Sequence, residues 1–215
     1  MTPLAAPSAA APLGGYAVES SEEIYGGKIF SLRKDSVRML DGQVAVRETV
    51  AHPGAAVVVA LDEQERVVLI RQYRHPVRDY LWELPAGLLD VQGEAAHRSA
   101  ARELAEEAGL IARRWDTLLD LRSSPGFSDE AVRVYLARDL TDIDAADRFV
   151  GEHEESDLTI ERVDLDEAVR WVLAGRIENA AAAAGVLAAL AARVSGFSGL
   201  RAADAPWPAK PGHAS

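Results

Sequence analysis

No cysteine occurs among the 215 residues. Disulfides, thiolate nucleophiles and cysteine-built zinc sites are therefore excluded, and the chain suits a reducing, cytoplasmic location. No apolar run approaches the roughly 20 residues of a membrane-spanning helix, so no membrane partner is expected. The first residues lack basic character and a long apolar core; the Ala/Pro/Gly-rich stretch Met1–Gly15 reads as a flexible tail and not as a secretory signal. His52, His75 and His97 show no zinc-site spacing. Positive charge is scarce too: 23 Lys and Arg stand against 34 Asp and Glu, a formal charge of −11. That balance argues against a nucleic-acid partner. It leaves room for a small phosphorylated substrate, because bound divalent cations reverse a local field.

What is present reads as one sizeable domain and a small accessory piece. Tyr16 to Thr49 holds short alternating stretches, with Asp41-Gly42 as a turn before Val44-Ala45-Val46, and predicts a small antiparallel sheet. The continuous apolar run Ala55–Leu61 predicts a buried strand, and Val67–Gln72 a second one after the turn at residues 62–65. Trp82–Leu84, Trp115–Arg122, Ala131–Ala137 and Leu158–Leu165 add strands. In Ala131–Ala137, Val132, Val134 and Leu136 alternate with Arg133 and Tyr135, which predicts a half-buried strand. Helices are expected over Ala95–Ala108, closed by Gly109, from Asp164 or Asp166 to Gly175, and over Glu178–Val194. No internal repeat is visible. Helices on both sides of a mixed sheet give an α/β/α sandwich. The expected organisation is a tail over 1–15, an N-terminal β-sheet domain over 16–50, the main domain over 51–200 and a loose tail over 201–215.

The sharpest chemical signal is the run Arg102-Glu103-Leu104-Ala105-Glu106-Glu107-Ala108-Gly109-Leu110. On a helix, Glu103, Glu106 and Glu107 share an arc of about 100°. Ala101, Leu104, Ala105 and Ala108 fall on the opposite side as the expected buried stripe. Carboxylates stacked at i+3 and i+4 repel one another. Bound divalent cations relieve that repulsion, and hard oxygen ligands suit Mg²⁺ or Mn²⁺. Glu103 and Glu107, one turn apart, are the first candidate ligands and Glu106 the next. Arg102 is expected to pair with Glu94 and hold the preceding loop against the helix.

Together with Gly87 and Glu94, this run resembles the Nudix box, G-x5-E-x7-R-E-U-x-E-E-x-G-U with U aliphatic. It matches at every defined position from Glu94 onward. The one departure is six residues, not five, between Gly87 and Glu94, as a one-residue insertion in the loop would give. The resemblance implies the Nudix α/β/α fold, hydrolysis of a nucleoside diphosphate linked to another group, and the backbone carbonyl of Ala86 as a further metal ligand.

Four features outside the box resemble the ADP-ribose pyrophosphatase subgroup, in its actinobacterial form, over about residues 16–200. Pro125 lies fifteen positions after Leu110; Gln72-Tyr73-Arg74 follows the second strand; Trp82-Glu83-Leu84-Pro85-Ala86-Gly87 leads into the box; Arg47-Glu48 precedes the first core strand. The resemblance implies a general base on a loop before a late strand, where Glu155 is the best positional match and Glu154 the next. It also implies a homodimer that exchanges N-terminal sheets. Among substrate contacts, Arg74 suits a phosphate through its planar fork. Arg47 and Glu48 suit the adenosine end, and Phe127 and Ser128, beside Pro125, the ribose side. The expected reaction is hydrolysis of ADP-ribose to AMP and ribose 5-phosphate. The alternatives are a Nudix hydrolase of another nucleoside diphosphate sugar, such as ADP-glucose or GDP-mannose, and a non-catalytic Nudix-like binding or regulatory module. The intact set of glutamates disfavours the second.

Overall fold

The computed structural model describes residues 13–144, 146 and 158–210. The chain divides into two units. One comprises residues 1–54, 122–131 and 207–215, the other residues 55–121 and 132–206.

In the first unit, β1 (Ala17–Gly26), β2 (Ser31–Arg38) and β3 (Val44–Ala51) form an antiparallel sheet in that order. The β2–β3 turn is closed by Gly42, at φ 82°, donating its N–H to the Met39 carbonyl at 3.0 Å. A two-strand register of eight pairs, including Arg33 opposite Thr49 and Asp35 opposite Arg47, joins β2 to β3. The free edge of β3 pairs with the 122–131 segment: Val50 N–H donates to the Phe127 carbonyl at 2.8 Å, and Asp129 N–H to the Val50 carbonyl at 3.1 Å. Asp129 also accepts from the His52 N–H at 2.8 Å and pairs with Arg33 at 3.3 Å. A boundary drawn after residue 50 would assign this segment to the main domain; its hydrogen bonds place it with the N-terminal sheet.

The second unit contains β4 (Ala55–Ala60), β5 (Arg66–Arg74), β6 (Asp79–Glu83), β7 (Ala86–Leu88), α1 (Ala96–Ala108), β8 (Leu110–Arg122), β9 (Ala131–Asp142), β10 (Thr159–Asp164), α2 (Leu165–Leu173), α3 (Ala180–Val194) and β11 (Arg201–Ala202). Two sheets result, one ordered β11-β8-β9-β4-β7 and one ordered β10-β5-β6. The first is mixed, with β4 parallel to β9 and antiparallel to β7. Strand periodicity of two explains the layering. From β4 and the residue after it, Val57, Val59 and Leu61 enter a core shared with Leu165, Ala168, Ala182 and Val186 of α2 and α3; Ala56, Val58 and Ala60 enter another shared with Ala100, Leu104 and Ala108 of α1. The uninterrupted apolar run is thus a strand covered on both faces. On α3, Gly185 allows close approach: a Cβ there would lie 2.7 Å from Leu84 Cδ1 and 3.1 Å from Val59 Cγ2.

Three expectations are corrected. Arg133 and Tyr135 are not on a wet face: they are 2% and 1% exposed. Burial is possible for Arg133 because Asp120 accepts from its Nε at 2.7 Å, and the Ala205 and Pro206 carbonyls accept at 2.6 and 3.1 Å. The buried residues of α1 are Ser99, Ala100, Leu104 and Ala108, whereas Ala101 and Ala105 are half-buried. The buried stripe is therefore rotated toward the glutamates. Residues 201–210 are not a loose tail: β11 pairs with Asp116 and Thr117 of β8, and Trp207 is 8% exposed. The expected tail residues 1–12 and 211–215 lie outside the described residues.

Helix ends follow side-chain chemistry. Gly109 adopts φ 62° and returns its N–H to the Ala105 and Leu104 carbonyls, closing α1. Asp164, rather than Asp166, caps α2 by accepting from the Asp166 and Glu167 N–H groups. Among the described residues, no helix is long and apolar enough to cross a membrane.

Candidate active site

The site grows from the backbone of Ala86–Gly87 and the facing side of α1. Glu107 Oε2 accepts the Ala86 N–H at 2.8 Å. Four residues earlier, the Glu103 carboxyl lies against Gly87 so closely that a Cβ there would collide with it. Two carboxylates one helical turn apart therefore converge on one short stretch of main chain. Segment 84–87 is fixed from the other side as well, since the Pro85 carbonyl accepts the Val58 N–H at 2.8 Å.

Arg102 is the electrostatic hub. Its Nη1 donates to Glu103 Oε1 at 2.5 Å and Glu106 Oε2 at 3.2 Å, while Nη2 lies 3.5 Å from Glu94 Oε2. Ser99 Oγ donates to the same Glu94 oxygen at 2.6 Å. Burial disfavours the charged guanidinium, but the charge and hydrogen bond of Glu103, the bond to Glu94 and the charge of Glu106 outweigh it and raise the Arg102 pKa. Arg102 thus meets Glu94, as expected, and also ties down two of the three helix glutamates. The long spacing between Gly87 and Glu94 is absorbed by β7 and a turn in which Glu94 N–H donates to the Val91 carbonyl at 3.2 Å, with Gly93 at φ 82°.

The donor set suits a hard divalent cation: carboxylates of Glu103, Glu106 and Glu107 and the main chain at Ala86, with the missing side chain at Gly87 giving the Glu103 carboxyl its place against that main chain. Among the described residues no three His, Asp or Glu side chains are gathered as a closed metal cage. Here Arg102 pairs with Glu103 and Glu106, and the Ala86 N–H donates to Glu107.

Arg74 pairs with a carboxylate of the neighbouring strand. Its Nε and Nη2 grip Glu83 Oε1 and Oε2 at 2.9 and 2.7 Å, and Gln72 Nε2 reaches Oε2 at 3.4 Å. Glu83 is 3% exposed, so this fork compensates a buried carboxylate just ahead of the 84–87 segment. Arg47 and Glu48 lie on β3 of the first unit, and Pro125, Phe127 and Ser128 in the loop bonded to the end of that strand. Glu154 and Glu155 lie outside the described residues. Sequence reasoning missed Ser99 and Glu83. The signal for Ser99 was a hydroxyl within an apolar helix stripe; for Glu83 it was its two-residue distance from Leu81 on a strand facing Gln72 and Arg74.

Residues 51–186 match the NUDIX domain model, and residues 17–50 match the model of the nucleoside diphosphate sugar hydrolase N-terminal domain. An ADP-ribose pyrophosphatase of Mycobacterium tuberculosis is 49% identical over 192 residues, covering 89% of this chain and 91% of the relative. A methanol dehydrogenase activator of Bacillus methanolicus is 35% identical over 157 residues, covering 73% of this chain and 83% of the relative. The fold is similar to a crystal structure of an ADP compounds hydrolase, with a TM-score of 0.73 at 21% identity, over 87% of this chain and 98% of that one. With the complete glutamate helix, its arginine hub and both family models in register along the sequence, the chain belongs to the Nudix family of hydrolases.

Proposed function

We propose that this protein is an ADP-ribose pyrophosphatase, cleaving ADP-ribose to AMP and ribose 5-phosphate. The observation that carries the reading is 49% identity to a named ADP-ribose pyrophosphatase over nine-tenths of both chains. Pro125 and the Gln72-Tyr73-Arg74 segment support the same substrate.

Glu103 and Glu107, with Glu106 and the Ala86 carbonyl, are the residues that would hold Mg²⁺ or Mn²⁺. When bound, such an ion supplies positive charge against the pyrophosphate and activates the attacking water. Arg102 holds Glu103 and Glu106 in place and limits their mutual repulsion. The Glu155 carboxylate takes the proton from the attacking water, with Glu154 the second choice for this role. Arg47 and Glu48 bind the adenosine end; Pro125, Phe127 and Ser128 line the ribose side. Arg74, whose side chain stays 42% exposed beside its ion pair with Glu83, binds a phosphate of the substrate.

The organisation we favour is an N-terminal sheet over 16–50, extended by the 122–131 loop, and a hydrolase body up to about residue 200. The active form is a homodimer. Val18, Ile24, Tyr25, Val44 and Val46 of the sheet are each between 50% and 56% exposed, an apolar load that a second copy would cover. The protein works in the cytoplasm.

The test is product analysis with ADP-ribose, ADP-glucose, GDP-mannose and 8-oxo-dGTP, each with Mg²⁺ and with EDTA. Preferred Mg²⁺-dependent release of AMP from ADP-ribose supports the reading. Preference for another compound keeps the metal chemistry and overturns the substrate; no hydrolysis at all overturns both.

A further inference from the structure

The N-terminal sheet contains a buried carboxylate oxygen without a partner. The Oδ1 atom of Asp35 is buried and accepts no hydrogen bond among the described residues. A carboxylate oxygen removed from water in this way is costly unless some state of the protein satisfies it. Directly across the ladder from Asp35 stands Arg47. Residues facing each other on antiparallel strands project to the same side, with Cβ atoms about 5 Å apart, so an arginine reaches its opposite neighbour without any backbone change. Yet the Arg47 guanidinium is turned along its own strand. Its Nη1 donates to the Val46 carbonyl at 2.8 Å, and Nη2 lies 4.0 Å from the Met39 sulfur. Neither contact involves an anion.

The same sheet face shows what a completed pair looks like. Two residues before Asp35, Arg33 pairs with Asp129 of the 122–131 loop at 3.3 Å. Arg33 and Asp35 thus present a cation and an anion side by side; Arg33 has Asp129 through Nη2, and each keeps one buried atom without a partner among the described residues, Nε of Arg33 and Oδ1 of Asp35. Arg47 is exposed and adjacent, with the charge that Asp35 lacks.

We infer that Asp35 is a positioning residue for Arg47: the Arg47 guanidinium swings across the ladder to donate to Asp35, and in that rotamer its remaining donors are fixed for the nucleoside end of the substrate. This rests on the reading that Arg47 contacts adenosine. Asp35 itself touches no substrate. Its function is to hold the Arg47 rotamer once substrate is in place, so its effect falls on affinity and not on the chemical step.

A double-mutant cycle tests this. KM and kcat for ADP-ribose are measured for the full-length enzyme, Asp35→Ala, Arg47→Ala and the double variant, with thermal unfolding of each. Asp35→Ala should raise KM by about tenfold, the size expected for loss of a charged hydrogen bond, with kcat within about twofold. The double variant should be no worse than Arg47→Ala alone, because the two act as one unit. The melting temperature should hold or rise, since a buried oxygen without a hydrogen bond is removed. Asp35→Glu should recover part of the KM loss; it also serves as the measurable variant if Asp35→Ala fails to fold. If Arg47→Ala raises KM while Asp35→Ala leaves it unchanged, or if the two effects multiply in the double variant, the positioning role is overturned and the Arg47 contact survives. If Arg47→Ala leaves KM unchanged, both fall.

Discussion

The Glu103 carboxyl occupies the space that a side chain at Gly87 would need. The glycine of the box is thus required by a neighbour from the helix, and its conformational freedom is not the reason. Gly87→Ala should displace Glu103 and leave the rest of the sheet in place. A displacement of about 1 Å at a reacting centre costs on the order of 100-fold in rate, so kcat/KM should fall by about that factor. Calorimetric titration with Mn²⁺ should show weakened binding in the same variant, with the melting temperature changed by only a few degrees.

Glu107→Gln and Glu103→Gln should each abolish detectable turnover while the protein stays folded. The two differ in surroundings. Glu103 has a side chain only 14% exposed and is bonded to Arg102, whereas Glu107 accepts the Ala86 N–H. A glutamine at 103 still accepts one hydrogen bond from Arg102, which keeps the local structure. Circular dichroism and Mn²⁺ titration alongside the assay would separate loss of a ligand from loss of fold; unfolding of both variants would sink the assignment.

Glu155→Gln should lower kcat by about 10²- to 10⁴-fold with little change in KM if this residue is the base. The pH–rate profile should lose its acidic limb at the same time. Near-normal turnover would move the role to Glu154, which the corresponding variant would then reveal.

Asp120 links acid stability to the C-terminal segment. Burial raises its pKa, but hydrogen bonds from Arg133 and Arg201 and their charges prevail, and the folded value lies below the ordinary 3.8. A depressed carboxylate stabilises the fold fully above its unfolded pKa, and the contribution disappears as pH falls through the folded pKa. Asp120→Ala should cost about 2 kcal/mol near neutral pH, because it leaves the buried Arg133 guanidinium short of an acceptor. The gap in melting temperature between wild type and variant should stay level from about pH 8 to pH 5 and close below about pH 4. A gap that persisted undiminished in acid would rule out this linkage.

The chemistry-bearing helix was legible because three glutamates, an arginine and a terminal glycine have fixed helical spacing, and spacing survives without knowledge of the fold. The long buried strand β4 was legible for a similar reason, since only coverage on both faces tolerates seven apolar residues in succession. Arg133 was not legible. Its partners are Asp120, thirteen positions away, and carbonyls more than seventy positions away, and alternation alone reads such a residue as exposed. The pairing of Arg74 with Glu83 was not legible either, because only the β5–β6 ladder brings the two together. The rotated stripe on α1 has a local cause: Ser99 turns inward because it has Glu94 to bond.

The 122–131 loop is covalently an excursion between β8 and β9, yet hydrogen bonds from Val50, His52 and Arg33 tie it to the N-terminal sheet. An engineered chimera that exchanged only the first fifty residues with a relative would set Asp129 against another protein's residue at the Arg33 position while the loop itself stayed behind. A transplant of the N-terminal sheet in this protein therefore has to carry the 122–131 loop with it.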